Sequence, residues 1–77
     1  MNFIEVMELM RAVSTFEAKA PQKDLKFSIY DNQSEGYVIY VKASSVDAEH
    51  LSFLKEIVET RKLGIRELEG YLVIHSR

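Results

Sequence analysis

His50 and His75 are the two histidines of this sequence, the residue type suited to acid–base work near neutrality, so such chemistry would have to recruit one of them or a perturbed carboxylate. Neither stands in a recognisable constellation. No HxxxH or HExxH spacing joins them, which argues against a metal site. His50 follows Glu49 in the early turns of a helical stretch, where a surface or boundary position is expected. His75 lies next to the chain's last residues, where fraying would spoil the positioning that catalysis requires. Ser44 and Ser45 precede a helix, but the sequence places no histidine beside them to activate a hydroxyl. As a phosphate cradle they would be opposed by Asp47 and Glu49, and no glycine-rich loop or following lysine supports them. Cysteine is absent, which removes thiolate nucleophiles, disulfides and cysteine metal sites together and points to a reducing compartment. The carboxylates Glu5, Glu8 and Glu17, and then Asp47, Glu49, Glu56 and Glu59, read as solvated helix faces. The expectation is a chain that is not an enzyme, with no catalytic residue, cofactor or metal.

Periodicity supplies the elements that carry these residues. Phe3, Val6, Met7, Leu9, Met10, Val13 and Phe16 recur at helical spacing, with Asn2 and Glu5 as a capping box and an end near Lys19, before Pro21. Leu25 to Tyr30 alternates with period two, and Tyr37 to Lys42 is rich in β-branched and aromatic residues; the polar loop Asp31 to Gly36 makes the two a hairpin. Ser44 and Ser45 are positioned to cap a second helix running to about Lys62. It buries Leu51, Leu54, Ile57, Val58 and the stem of Arg61, with Phe53 at the margin, and Gly64 is suited to the left-handed terminating conformation. Ile65 to Leu68 and Tyr71 to His75 form a last, tight hairpin around Glu69-Gly70.

The order α-β-β-α-β-β, with no linker, repeat or low-complexity stretch, is one α+β domain over residues 1–77. Its 47% apolar and 29% charged composition is that of a globular chain with room for one core. The longest uninterrupted apolar stretches, Tyr37–Val41 and Tyr71–Ile74, are too short to cross a bilayer, and the N-terminal residues do not read as a signal peptide. A soluble, cytoplasmic protein is expected. Tyr71–Ile74 is the most apolar run and suits a central strand, whereas Arg66 and Glu67 suit an edge, which gives strand order 1-2-4-3. The expected result is a four-stranded mixed sheet with both helices on one face. That arrangement is similar to a ferredoxin-like β-α-β-β-α-β sandwich whose first strand has been moved to its C-terminus.

Alternation then divides the sheet. Leu25, Phe27, Ile29, Ile39, Val41, Ile65, Leu72 and Ile74 meet the helices. Lys26, Ser28, Tyr30, Val38, Tyr40, Lys42, Arg66, Leu68, Tyr71, Val73 and His75 occupy the open face. This face is more apolar than a solvated sheet surface normally is. The preferred reading is an interaction or regulatory module that pairs with a second copy or another protein through Tyr30, Val38, Tyr40, Leu68, Tyr71, Val73 and His75. One alternative is a small-molecule-binding or enzymatic subunit with its site at a dimer seam. Another is a platform for stacking single-stranded nucleic acid, which the basic residues Lys26, Lys42 and Arg66 would assist and the net charge of −2 opposes. The blandest account is that tyrosines sit at exposed strand positions by propensity alone.

Overall fold

The computed structural model of the protein describes residues 1–19, 25–34 and 36–77. Ala20 and Pro21, on which the predicted end of the first helix rests, and Glu35 of the predicted loop lie outside the described residues. Helix α1 spans Phe3–Lys19. Its start is the reciprocal capping box anticipated: the Asn2 N–H donates to Glu5 Oε1 at 2.9 Å and the Glu5 N–H to Asn2 Oδ1 at 2.8 Å. Val6, Leu9 and Val13 are its buried residues. Phe3 and Met7, which the spacing also assigned to the inner face, are exposed together with Ile4. Met1 is buried instead; its ammonium donates to the Tyr37 carbonyl at 3.0 Å and its carbonyl accepts from the Tyr37 N–H at 2.8 Å.

Strands β1 (Phe27–Asn32) and β2 (Gly36–Lys42) pair antiparallel, from Phe27 opposite Val41 to Asn32 opposite Gly36. The ladder continues through Asp31 and Asn32, which polarity had assigned to the loop. Asn32 Oδ1 organises the turn from the strand end, accepting from the Ser34 N–H at 3.2 Å and from Ser34 Oγ at 2.9 Å. After β2 comes a short 3-10 turn, Ala43–Ser45. Ser45 does not cap the second helix as expected. Its hydroxyl donates to the Lys42 carbonyl at 2.7 Å and accepts from the Lys26 N–H at 3.0 Å, tying the start of β1 to the end of β2.

Helix α2 (Ala48–Thr60) is capped by Asp47, whose carboxylate accepts the His50 N–H at 2.8 Å. At its other end the left-handed residue is Lys62, with φ 57°, and not Gly64. Strand β3 (Leu63–Leu68) therefore begins two residues before the expected start and encloses Gly64. Strand β4 (Tyr71–Ser76) follows a tight turn in which Gly70 takes φ 78°.

The sheet order is β1-β2-β4-β3, as the sequence predicts, but every neighbouring pair is antiparallel. The expectation of a mixed sheet is thus corrected. Helix α2 carries the chain from β2 to a strand running parallel to it, and β4 folds back into the gap between the two, so the parallel strands never touch. The core joins Ile39, Val41, Leu63 and Ile74 of the sheet to Val6, Leu9, Val13, Leu54, Ile57 and Val58 of the helices, with Met1 and Leu25. Phe27 and Ile29 were expected there and are exposed; all six residues of β1 are. Among the described residues no helix is long and apolar enough to cross a membrane.

Candidate functional site

The pairing register places alternate residues on the sheet face that points away from the core. Tyr30 stands opposite Val38, Tyr40 opposite both Ser28 and Val73, Val73 opposite Arg66, and Tyr71 opposite Lys42 and Leu68. Tyr30 with Tyr40, and Tyr40 with Tyr71, are therefore diagonal neighbours on adjacent strands, within the reach of aromatic side chains. Their rings meet edge to face in series, with centroids 5.1 Å apart for the first pair and 5.8 Å for the second. That geometry sets the positive edge of one ring against the negative face of the next. The row crosses three strands, with Tyr40 half-buried at its middle and Tyr30 and Tyr71 56% and 42% exposed at its ends.

Val38 and Val73 lie on the face to which the sequence assigns them, but they are not exposed there. Both are buried although among the described residues no helix covers this face; their neighbours there are the tyrosines themselves, with Arg66 beside Val73. The two valines form a floor under the rings, and the surface open to contact is that of Tyr30, Tyr71 and the exposed Leu68. Between the rings and the polar side chains of Ser28, Asn32 and Gln33 lies a shallow depression of about 630 Å³. His75 belongs to the same face but is half-buried. Its imidazole lies over Gly64, the residue opposite it on β3, and its Nδ1 is 2.8 Å from the Ser76 carbonyl.

The second histidine is elsewhere. His50 is buried against the edge of Phe16, at 5.5 Å between ring centroids, and not at the surface as expected. Its spacing from Leu54, Ile57 and Val58 puts it on the buried stripe of α2, a signal present in the sequence. Its Nδ1 stands 3.0 Å from Asp47 Oδ1 without the angle of a hydrogen bond, and neither ring nitrogen has a hydrogen-bond partner among the described residues. The His50 N–H held by Asp47 is the main cause that lowers the Asp47 pKa below the usual carboxylate value, and the neighbouring ring adds to it. Among the described residues no group of three or more His, Cys, Asp or Glu is placed to hold a metal ion. The structure does not bring the two histidines together: one is in the core and the other on the opposite side of the sheet.

A second apolar strip escaped the sequence reading. Phe27 and Ile29 on the helix side of β1 remain exposed, and Phe3 at the exposed start of α1 approaches Tyr37, the partner of Asp31, at 6.3 Å between ring centroids. No known protein family, curated protein or solved structure matches this chain.

Proposed function

We propose that the protein is a small, non-catalytic interaction or regulatory module that self-associates through the tyrosine face of its sheet. The observation that carries this reading is the continuous row of Tyr30, Tyr40 and Tyr71, fixed by mutual ring contacts and ending in exposed rings beside Leu68. Tyrosine offers large contact area at small entropic loss, and it is enriched at interface centres. A twofold axis parallel to the sheet and just above its tyrosine face would lay one row on another without a second gene product. The depression beside Ser28, Asn32 and Gln33 favours a second reading, in which a small molecule sits at the seam between two copies. The topology supports describing the fold as a permuted ferredoxin-like sandwich, and the cysteine-free composition suits a cytoplasmic setting.

Sedimentation of the wild type beside Tyr71→Lys and Tyr40→Glu tests the face. Tyr71 is exposed, so its lysine variant keeps the fold, as circular dichroism will verify, and it is expected to lose pairing across the face because each copy would place a charge in the seam. Pairing by Tyr71→Lys with undiminished affinity and with its sheet faces still in contact, read by crosslinking at Leu68→Cys, would exclude the tyrosine row as the interface.

A further inference from the structure

We propose that the free edge of β1 is a second interface, on which another copy of this chain adds its own β1 antiparallel, with Ile29 opposite Ile29, to continue the sheet across a twofold axis. The surface is distinct from the tyrosine face and the inference does not rest on that reading.

The direction of the backbone groups follows from two hydrogen bonds. The Lys42 N–H donates to the Lys26 carbonyl at 2.7 Å, so Lys26 turns its polar groups toward β2. In an antiparallel ladder this alternates: Ser28, Tyr30 and Asn32 also turn inward, whereas Leu25, Phe27, Ile29 and Asp31 turn outward. Leu25 agrees, since its N–H donates to Glu17 Oε2 of α1 at 2.7 Å. Helix α1 thereby closes the edge at Leu25 and leaves Phe27, Ile29 and Asp31 open, and among the described residues no strand lies beyond them.

The edge lacks the features that normally discourage pairing. Strand β1 has no proline and no bulge in its ladder, and Asp31 is its one charged residue; β3 at the opposite edge carries Arg66 and Glu67 in its middle. Phe27 and Ile29 are 39% and 42% exposed on one side of β1, and Tyr30 is bare on the other.

A second copy fits this edge in one register best. With Ile29 on the axis, each Ile29 exchanges both backbone bonds with its counterpart, and Phe27 exchanges both with Asp31 of the other copy, so every outward group is satisfied. Moving the axis toward Ser28 would call on Leu25, whose N–H is already held by Glu17; moving it toward Tyr30 leaves Phe27 without a strand residue opposite. In the Ile29 register Lys26 faces Asn32 and Ser28 faces Tyr30, and no like charges oppose one another. Phe27, Ile29 and Tyr30 of two copies would remove on the order of 600 Å² from water, taking about half of each side chain's area. That is below the roughly 1,200 Å² at which standard interfaces begin, so the paired backbone carries much of the contact and the dimer is expected to be weak and concentration-dependent.

The test uses the full chain with Tyr71→Lys throughout, which removes pairing across the tyrosine face. Sedimentation equilibrium is expected to show this protein still dimerising, and adding Ile29→Lys to weaken that dimer about tenfold or more. Ile29→Pro is a second arm: it removes an outward N–H, which a monomer tolerates and the dimer needs. Amide exchange supplies a readout that merely structural damage would not reproduce. Exchange at the Phe27, Ile29 and Asp31 amides should slow as concentration rises, while the inward Ser28 and Tyr30 amides are already protected at low concentration. A Tyr71→Lys protein that is monomeric at high concentration, or one whose dimer survives both Ile29 changes, overturns the edge proposal. The first of those results would leave the tyrosine face standing, so the two readings fail separately.

Discussion

A Cβ built on Gly64 would lie 2.9 Å from Nε2 of the His75 ring and closer still to its Cε1, so the imidazole occupies the space that any other residue's side chain would claim. The consequence can be tested by a double-mutant cycle. Gly64→Ala alone forces the ring aside and is expected to destabilise by roughly 1–3 kcal/mol, the range of overpacking changes. In a His75→Ser background the obstruction is gone, and the same substitution should be neutral or stabilising by about 0.5–1 kcal/mol, because alanine gives up less freedom than glycine on entering a strand. Chemical denaturation of the four proteins reads the coupling, and equal effects in both backgrounds would show that the ring does not depend on Gly64. The sequence left this residue open to misreading: a glycine just past a helix suggests a terminator, and only the register with β4 reveals the ring opposite. His50 differs, since its spacing from Leu54 and Ile57 already put it on the buried stripe; what misled was the general preference of histidine for the surface.

At the scale of elements, the patterns that depend on neighbouring residues were readable and those that depend on distant packing were not. The capping box of Asn2 and Glu5, the two hairpins, the central place of β4 and the division of the strands into two faces all follow from local periodicity and composition. The bare β1 does not. Its burial depends on where two helices, each about 10 Å wide, sit over strands about 4.8 Å apart, and no local pattern fixes that position. The cap of α2 yields a prediction about pH. Asp47 accepts the His50 N–H and its pKa is lowered in the folded protein, so its ionised form is favoured by folding. The stabilisation is complete above the ordinary aspartate pKa and is lost as pH falls through the lowered one. Asp47→Ala should therefore reduce the thermal midpoint at neutral pH, Asp47→Asn should restore part of it because asparagine also caps, and the gap between wild type and Asp47→Ala should narrow below about pH 4. A gap that is constant from neutrality to strongly acidic pH would show that the carboxylate's charge plays no part in the cap.

For the whole molecule, one core in 77 residues must hold a sheet that is bare on one face and along one strand. Small domains keep little stability in reserve, and burial by association adds to whatever the isolated fold supplies. If copies pair through the tyrosine face or the β1 edge, unfolding must also separate them, and stability becomes a function of concentration. For a dimer unfolding to two chains, each tenfold rise in concentration contributes about 1.4 kcal/mol per dimer. Shared between two chains of this size, that corresponds to a midpoint increase of roughly 3–6 °C. Calorimetry over a hundredfold range of concentration should show this slope in the wild type. Tyr71→Lys and Ile29→Lys should each still show a dimer's slope, because each leaves one pairing surface intact, and the double variant should melt at one temperature throughout. A wild-type midpoint that is flat across the range would mean that neither surface binds another copy at those concentrations. A sloping midpoint in a double variant that retains its fold would place the contact elsewhere, with the exposed start of α1 around Phe3, Ile4 and Met7 the next surface to change.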